Sequence, residues 1–134
     1  MATVTPTLTI SSTDALVDTL SLSVTGSLAI TGQSQYGTVV TGTGTKVDLT
    51  GSAGSTSGTT FGSSLVYFKN LSTQTSDRGG GSTESIKIYL DEEYSLLLGP
   101  GEFALMPWIG DGQNNIAHQS VYGSPKLEFA IFEF

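Results

Sequence analysis

From Thr3 to Ile10 the chain alternates without a break: Thr3, Thr5, Thr7 and Thr9 fall on one parity, Val4, Pro6, Leu8 and Ile10 on the other. A period of two is the signature of a strand with one face buried and one face wet. Pro6 has no N–H to give to a ladder, which places this segment at a sheet edge or in an extended N-terminal arm, residues 1–13. The alternation returns at Leu20, Leu22 and Val24, passes Thr25-Gly26 and continues at Leu28 and Ile30, the pattern of a hairpin or of two consecutive strands.

Short strands are also expected at 38–41 and 46–49. Between Gly51 and Ser64, 12 of 14 residues are Gly, Ser or Thr, with only Phe61 able to anchor a core. This reads as a long flexible loop. After it come five segments dense in β-branched and aromatic residues: Leu65–Asn70, Glu84–Asp91, Tyr94–Leu98, Glu102–Trp108 and Leu127–Phe134. Asp77-Arg78-Gly79-Gly80-Gly81-Ser82, Asp91-Glu92-Glu93 and Gly99-Pro100-Gly101 punctuate them with turn chemistry. No segment of ten or more residues holds an apolar face at helical spacing, so helix should be scarce. The expectation is all-β: an antiparallel β-sandwich, jelly-roll-like, of at least eight strands. At 134 residues, residues 14–134 form one domain, and 19 Thr, 18 Ser and 17 Gly suit a turn-rich β fold.

Twelve acids against five bases give a net charge of −7, and residues 84–134 hold eight of those acids. Such a surface repels nucleic acid and anionic lipid, so neither is expected as a partner. No apolar run approaches the roughly 20 residues that cross a bilayer, and no leader pattern is visible. Cysteine is absent, which removes thiolate nucleophiles, disulfides and sulfur-ligated metals.

His118 is the only histidine, and without a Gly-x-Ser-x-Gly elbow it reads as structural. Glu92 and Glu93 lie in a turn, while Glu128 and Glu133, at odd spacing on one strand, face opposite ways and cannot flank one bond. The run Leu98 to Pro107 is similar to the glycine turn and strand of cupin jelly rolls, yet one histidine cannot build their metal site. Asp111, Asn114 and Asn115 read as a surface turn rather than a calcium loop. Asn70-Leu71-Ser72 fits a glycosylation sequon, a triplet common by chance. Arg78-Gly79-Gly80-Gly81 is a single RGG-like copy and reads as a turn. No enzymatic activity and no cofactor are expected.

Two readings compete for the aromatics. Tyr36, Phe61, Tyr94, Trp108 and Tyr122 stand in or beside polar stretches, where they could stack on sugar rings or pack a core and an interface. The C-terminus, with Leu127, Phe129 and Ile131 on one side and Ala130, Phe132 and Phe134 on the other, is apolar on both faces. It must be a buried central strand or be covered by a partner.

The segments Val66-Tyr67-Phe68-Lys69-Asn70-Leu71-Ser72, Ile86-Lys87-Ile88-Tyr89-Leu90-Asp91 and Leu98 to Trp108, closed by Leu127-Glu128-Phe129, resemble small virion proteins of tailed bacteriophages, of the capsid decoration or cement class. The resemblance covers residues 64–134. It implies a non-enzymatic protein on the capsid exterior that binds and stabilises the lattice of the major capsid protein. An N-terminal arm that crosses to a neighbour also suits self-association, so a homo-oligomer such as a trimer is expected. The alternative is a tail, fibre or adhesin module that binds host glycans through exposed aromatics. On the first reading the assembly contacts are Val4, Pro6, Leu8 and Ile10 in the arm, Trp108 at a strand end, and Phe132 and Phe134 at the C-terminus.

Overall fold

The computed structural model describes residues 2–12, 20–32, 34–49, 62–73, 84–90, 93–109 and 116–134, and every regular element among them is a β-strand. Eight strands build the body: β5 (Ser34–Val40), β6 (Val47–Asp48), β7 (Ser63–Asn70), β8 (Ile86–Leu90), β9 (Glu93–Leu98), β10 (Phe103–Ile109), β11 (Ile116–Ser120) and β12 (Lys126–Glu133). They form two four-stranded antiparallel sheets, β10-β7-β12-β5 and β6-β11-β8-β9. The first of the eight pairs with the last, the second with the seventh, and so inward to the β8–β9 hairpin. That pairing order is compatible with a jelly roll, and the fold is the expected antiparallel sandwich.

Period-two alternation decides which side of each strand faces the other sheet. Val66 and Phe68, then Leu127, Phe129 and Ile131, point inward from one sheet; Ile86, Ile88, Leu90 and Ile116 answer from the other. Burying each such side chain contributes about 1.5–3 kcal/mol. Gly37, opposite Phe129 in register, lets the ring lie on the backbone, because a Cβ there would stand 3.2 Å from the ring edge. β12 is central, between β7 and β5, which satisfies a C-terminal segment that is apolar on both faces. The turn Gly99-Pro100-Gly101 joins β9 to β10 with Gly101 at φ +74°, a conformation suited to glycine.

The strands of residues 2–12 and 20–30 lie outside these sheets. β1 (Ala2–Val4) pairs with β4 (Leu28–Ile30), and β2 (Thr7–Ser12) pairs with β3 (Leu20–Thr25). Both ladders keep one register, each paired sum being 32, so together they form a single two-stranded ribbon. Its interruption falls at Pro6. Gly26 N–H donates to Pro6 O at 3.1 Å, and the reciprocal bond cannot form for want of a proline N–H. The ribbon joins the body where the Thr31 and Gly32 N–H groups both donate to Glu133 O.

Several details differ from expectation. Pro6 divides the first strand in two. Residues 20–30 are two consecutive strands, the second of the two expected arrangements, but they supply the partner of the arm and so extend it well past residue 13. Ser63 and Ser64, expected in the loop, open β7, whereas residues 50–61 lie outside the described residues, as does the Asp111/Asn114/Asn115 turn. β11 has no counterpart in the sequence reading, because Ile116-Ala117-His118-Gln119-Ser120 carries too few apolar residues to announce a strand.

Candidate assembly surfaces

On the ribbon, every even-numbered position faces one way and every odd one the other. The i+j = 32 register sets Val4 opposite Leu28, Leu8 opposite Val24 and Ile10 opposite Leu22. Leu8, Ile10, Leu22 and Val24 are 39–56% exposed; Val4, Pro6, Leu28 and Ile30 are half-buried. The opposite side is hydroxyl throughout β2, where Thr7 Oγ1 lies 3.3 Å from Thr25 Oγ1 across the strands. One side is made for water and the other is not.

A second apolar surface lies on the outside of the β10-β7-β12-β5 sheet. Across it the register aligns Leu105, Tyr67, Ala130 and Tyr36 in one row and Pro107, Leu65, Phe132 and Ser34 in the next. Leu65 and Ala130 are buried within this face, while Leu105, Tyr36 and Ile109 are 40%, 70% and 81% exposed. Polar groups gather toward one end, where Lys69, Glu128 and Thr38 continue the row that begins at the exposed Phe103. There Tyr67 donates its hydroxyl to Glu128 Oε1 at 3.0 Å. Burial, the hydrogen bond to Glu128 and its charge push the Tyr67 phenol up to about 12, so it remains a donor.

The expected contacts therefore separate. Leu8 and Ile10 are open, Val4, Pro6 and Phe132 partly so, and Phe134 is 39% exposed. Trp108 is 6% exposed and belongs to the core cluster, so its ring is not offered to a partner. Its alternation with the exposed Pro107 and Ile109 turns it inward; a bulky apolar residue at an inward position goes to the core whatever its neighbours suggest. Of the outer-face residues, Tyr36 stands among the aromatics read from the sequence, while Leu105, Pro107 and Ile109 escaped it, although alternation against inward Ala104, Met106 and Trp108 marks them.

The other sheet presents a different exterior. Tyr89 and Tyr94 meet with ring centroids 6.1 Å apart, with Lys46 over the first ring and Lys87 over the second, each at 5.7 Å. Tyr89 also donates to Gln119 Oε1 at 2.8 Å.

Groups with catalytic potential are arranged otherwise. His118 is 3% exposed, on the inward side of β11 opposite Ile88, and its Nδ1 has no hydrogen-bond partner. Burial holds its pKa down at about 4, against the opposing charge of Asp48. Trp108 Nε1 is likewise buried without a partner. Among the described residues no three His, Asp or Glu side chains come together as a metal-binding group. Asn70, the sequon residue, is fully buried, and its Nδ2 donates to Glu84 O and Leu98 O. The sequon is thus a core joint between the sheets, closed to a glycan. No family model, curated protein or solved structure matches the chain.

Proposed function

We propose that this chain is a non-enzymatic virion structural protein, a capsid decoration or cement protein that sits on the exterior of a major capsid protein lattice and stabilises it as a homo-oligomer. The observation that carries the reading is the quantity of uncovered apolar surface: a small acidic body bears one apolar sheet face and one apolar ribbon face. A protein destined to remain alone gains nothing from either, and both are liabilities for aggregation. A jelly-roll-like body with an N-terminal arm suits a lattice protein, the same fold also serving lectins and cupins.

The test is sedimentation of the purified chain with capsids of its own virus stripped of accessory proteins. Saturable binding at a fixed ratio to the major capsid protein, together with a higher rupture temperature of the capsid, is expected. A chain that stays in the supernatant at every concentration sinks the proposal. The tail or adhesin alternative has its own support in the Tyr89–Tyr94 pair and its lysines, with Tyr94 54% exposed. Specific signals on a glycan array, lost in Tyr94→Ala, would favour it.

A further inference from the structure

The two uncovered apolar faces lie on one chain, and the chemistry of each suits the other. An isolated two-stranded ribbon is marginal in water, so the Leu8, Ile10, Leu22 and Val24 side requires a cover. Residues 2–12 and 20–32 contain no charged side chain, so the paired strands offer a partner apolar contact rather than charge, the acids Asp14 and Asp18 lying between them in sequence. The Thr and Ser side of the ribbon is already suited to water, so the cover lies on one side only.

We infer that the cover is a second copy of this chain: the ribbon of each protomer lies, apolar side down, on the outer face of its partner's β10-β7-β12-β5 sheet. Position favours this. The ribbon leaves the body at Glu133, next to the Pro107, Leu65, Phe132 row and away from the Lys69–Glu128 end. Thr31 and Gly32, both bonded to Glu133 O, fix its base at the strand end, and within one chain the ribbon's apolar side stays exposed.

Area points the same way. From strand dimensions the ribbon face measures about 37 Å by 10 Å and the sheet face about 24 Å by 19 Å. One crossing covers roughly 250 Å² of each surface, so a reciprocal pair buries on the order of 1,000 Å², the lower bound of a specific interface. Ribbon on ribbon would bury roughly 750 Å², the range of incidental contacts, and would leave the sheet face bare. The reciprocal arrangement is also closed, as a two-fold pair must be if it is not to grow into fibres.

The inference rests on the homo-oligomer part of the proposed function; self-association is measured with no capsid present, so failure of the pair and failure of capsid binding are read separately. The natural absence of cysteine makes single-thiol variants clean probes. Ile10→Cys and Leu105→Cys chains, one carrying a mass tag, are mixed and treated with a short bis-maleimide. A mixed product between them is expected, at least ten-fold more abundant than with Thr9→Cys, which lies on the hydroxyl side. Sedimentation should show the unmodified chain in a concentration-dependent dimer, shifted to monomer by Leu22→Thr with Val24→Thr, while circular dichroism confirms the fold. Three results would overturn the inference: Ile10→Cys joining only to itself, a double Ile10→Cys, Leu105→Cys chain linking only internally, or a monomer at all concentrations.

Discussion

Asn70→Ala lowers the free energy of unfolding by about 3 kcal/mol, the magnitude set by three hydrogen bonds, one buried and two part-buried, lost with one side chain. Asn70 ends β7 with no exposed surface. Its Nδ2 donates to Glu84 O at 2.7 Å and to Leu98 O at 3.1 Å, and its Oδ1 accepts from Ser72 N–H at 2.9 Å. The residue thereby ties the end of β7 in one sheet to the end of β9 and to the approach of β8 in the other. Its main chain adds to the joint, donating to Glu102 O and accepting from Gly101 N–H at the turn into β10. Removing the amide deletes the donor that serves two carbonyls and the acceptor that serves the Ser72 N–H, and each hydrogen bond lost costs about 0.5–1.5 kcal/mol net. Asn70→Asp keeps the acceptor but turns a negative charge toward two carbonyl oxygens, so it should be at least as damaging as Ala. Urea denaturation gives the check. A change below 1 kcal/mol for both variants would show that the two carbonyls find other partners.

Alternation made most of the body legible in the sequence. Ile86, Ile88 and Leu90 sit where a period of two puts them, and so do Leu127, Phe129 and Ile131, because burial of one face leaves the backbone no cheaper register. Pairing was less legible. Leu20 to Ile30 reads equally as a hairpin, since Thr25-Gly26 is good turn chemistry; what decides is that Pro6 and Gly26 must face each other where one bond of the ladder is missing. β11 was hidden for another reason. Its inward positions are Ile116, His118 and Ser120, and two of those three are polar. Hydropathy counts them as surface, whereas the pairing with β8 places them in the interior.

Trp108 and Asn70 show the same limit from opposite sides. A tryptophan after a proline at a strand end looks like an interface anchor, and a sequon asparagine looks exposed; both are interior because alternation along β10 and β7 turns them inward. Residue type suggested their roles, and strand parity set them. The apolar surface left outside is therefore the part that parity does not absorb: the even positions of the ribbon and the outward positions of β10 and β5.

Acidification from pH 6.5 to 4 should remove about 3 kcal/mol of stability through His118 alone. The imidazole is buried on the inward side of β11 with Nδ1 unpartnered, so the folded chain resists protonating it. Burial brings its pKa to about 4, and the Asp48 charge only partly offsets that. An unfolded chain takes up the proton near pH 6.5. Above that value both states are neutral at this group and the contribution is whole. Between the two values the unfolded state binds more protons, and stability falls by about 1.4 kcal/mol per pH unit. Below pH 4 the folded state also protonates and the loss stops growing. Other carboxyl groups titrate in the lower part of this window, so the measurement is a difference: the pH dependence of the wild-type unfolding free energy against that of His118→Leu. Leucine fills similar space and carries no titrating group, so the variant should match or exceed the wild type at pH 7 and lose less as the pH falls. The capsid binding proposed above should survive the change at pH 7, because His118 faces the core and lies on neither candidate surface. Parallel pH curves for the two proteins would mean that His118 is protonated as readily folded as unfolded, which a side chain 3% exposed among Ile88 and its neighbours does not allow.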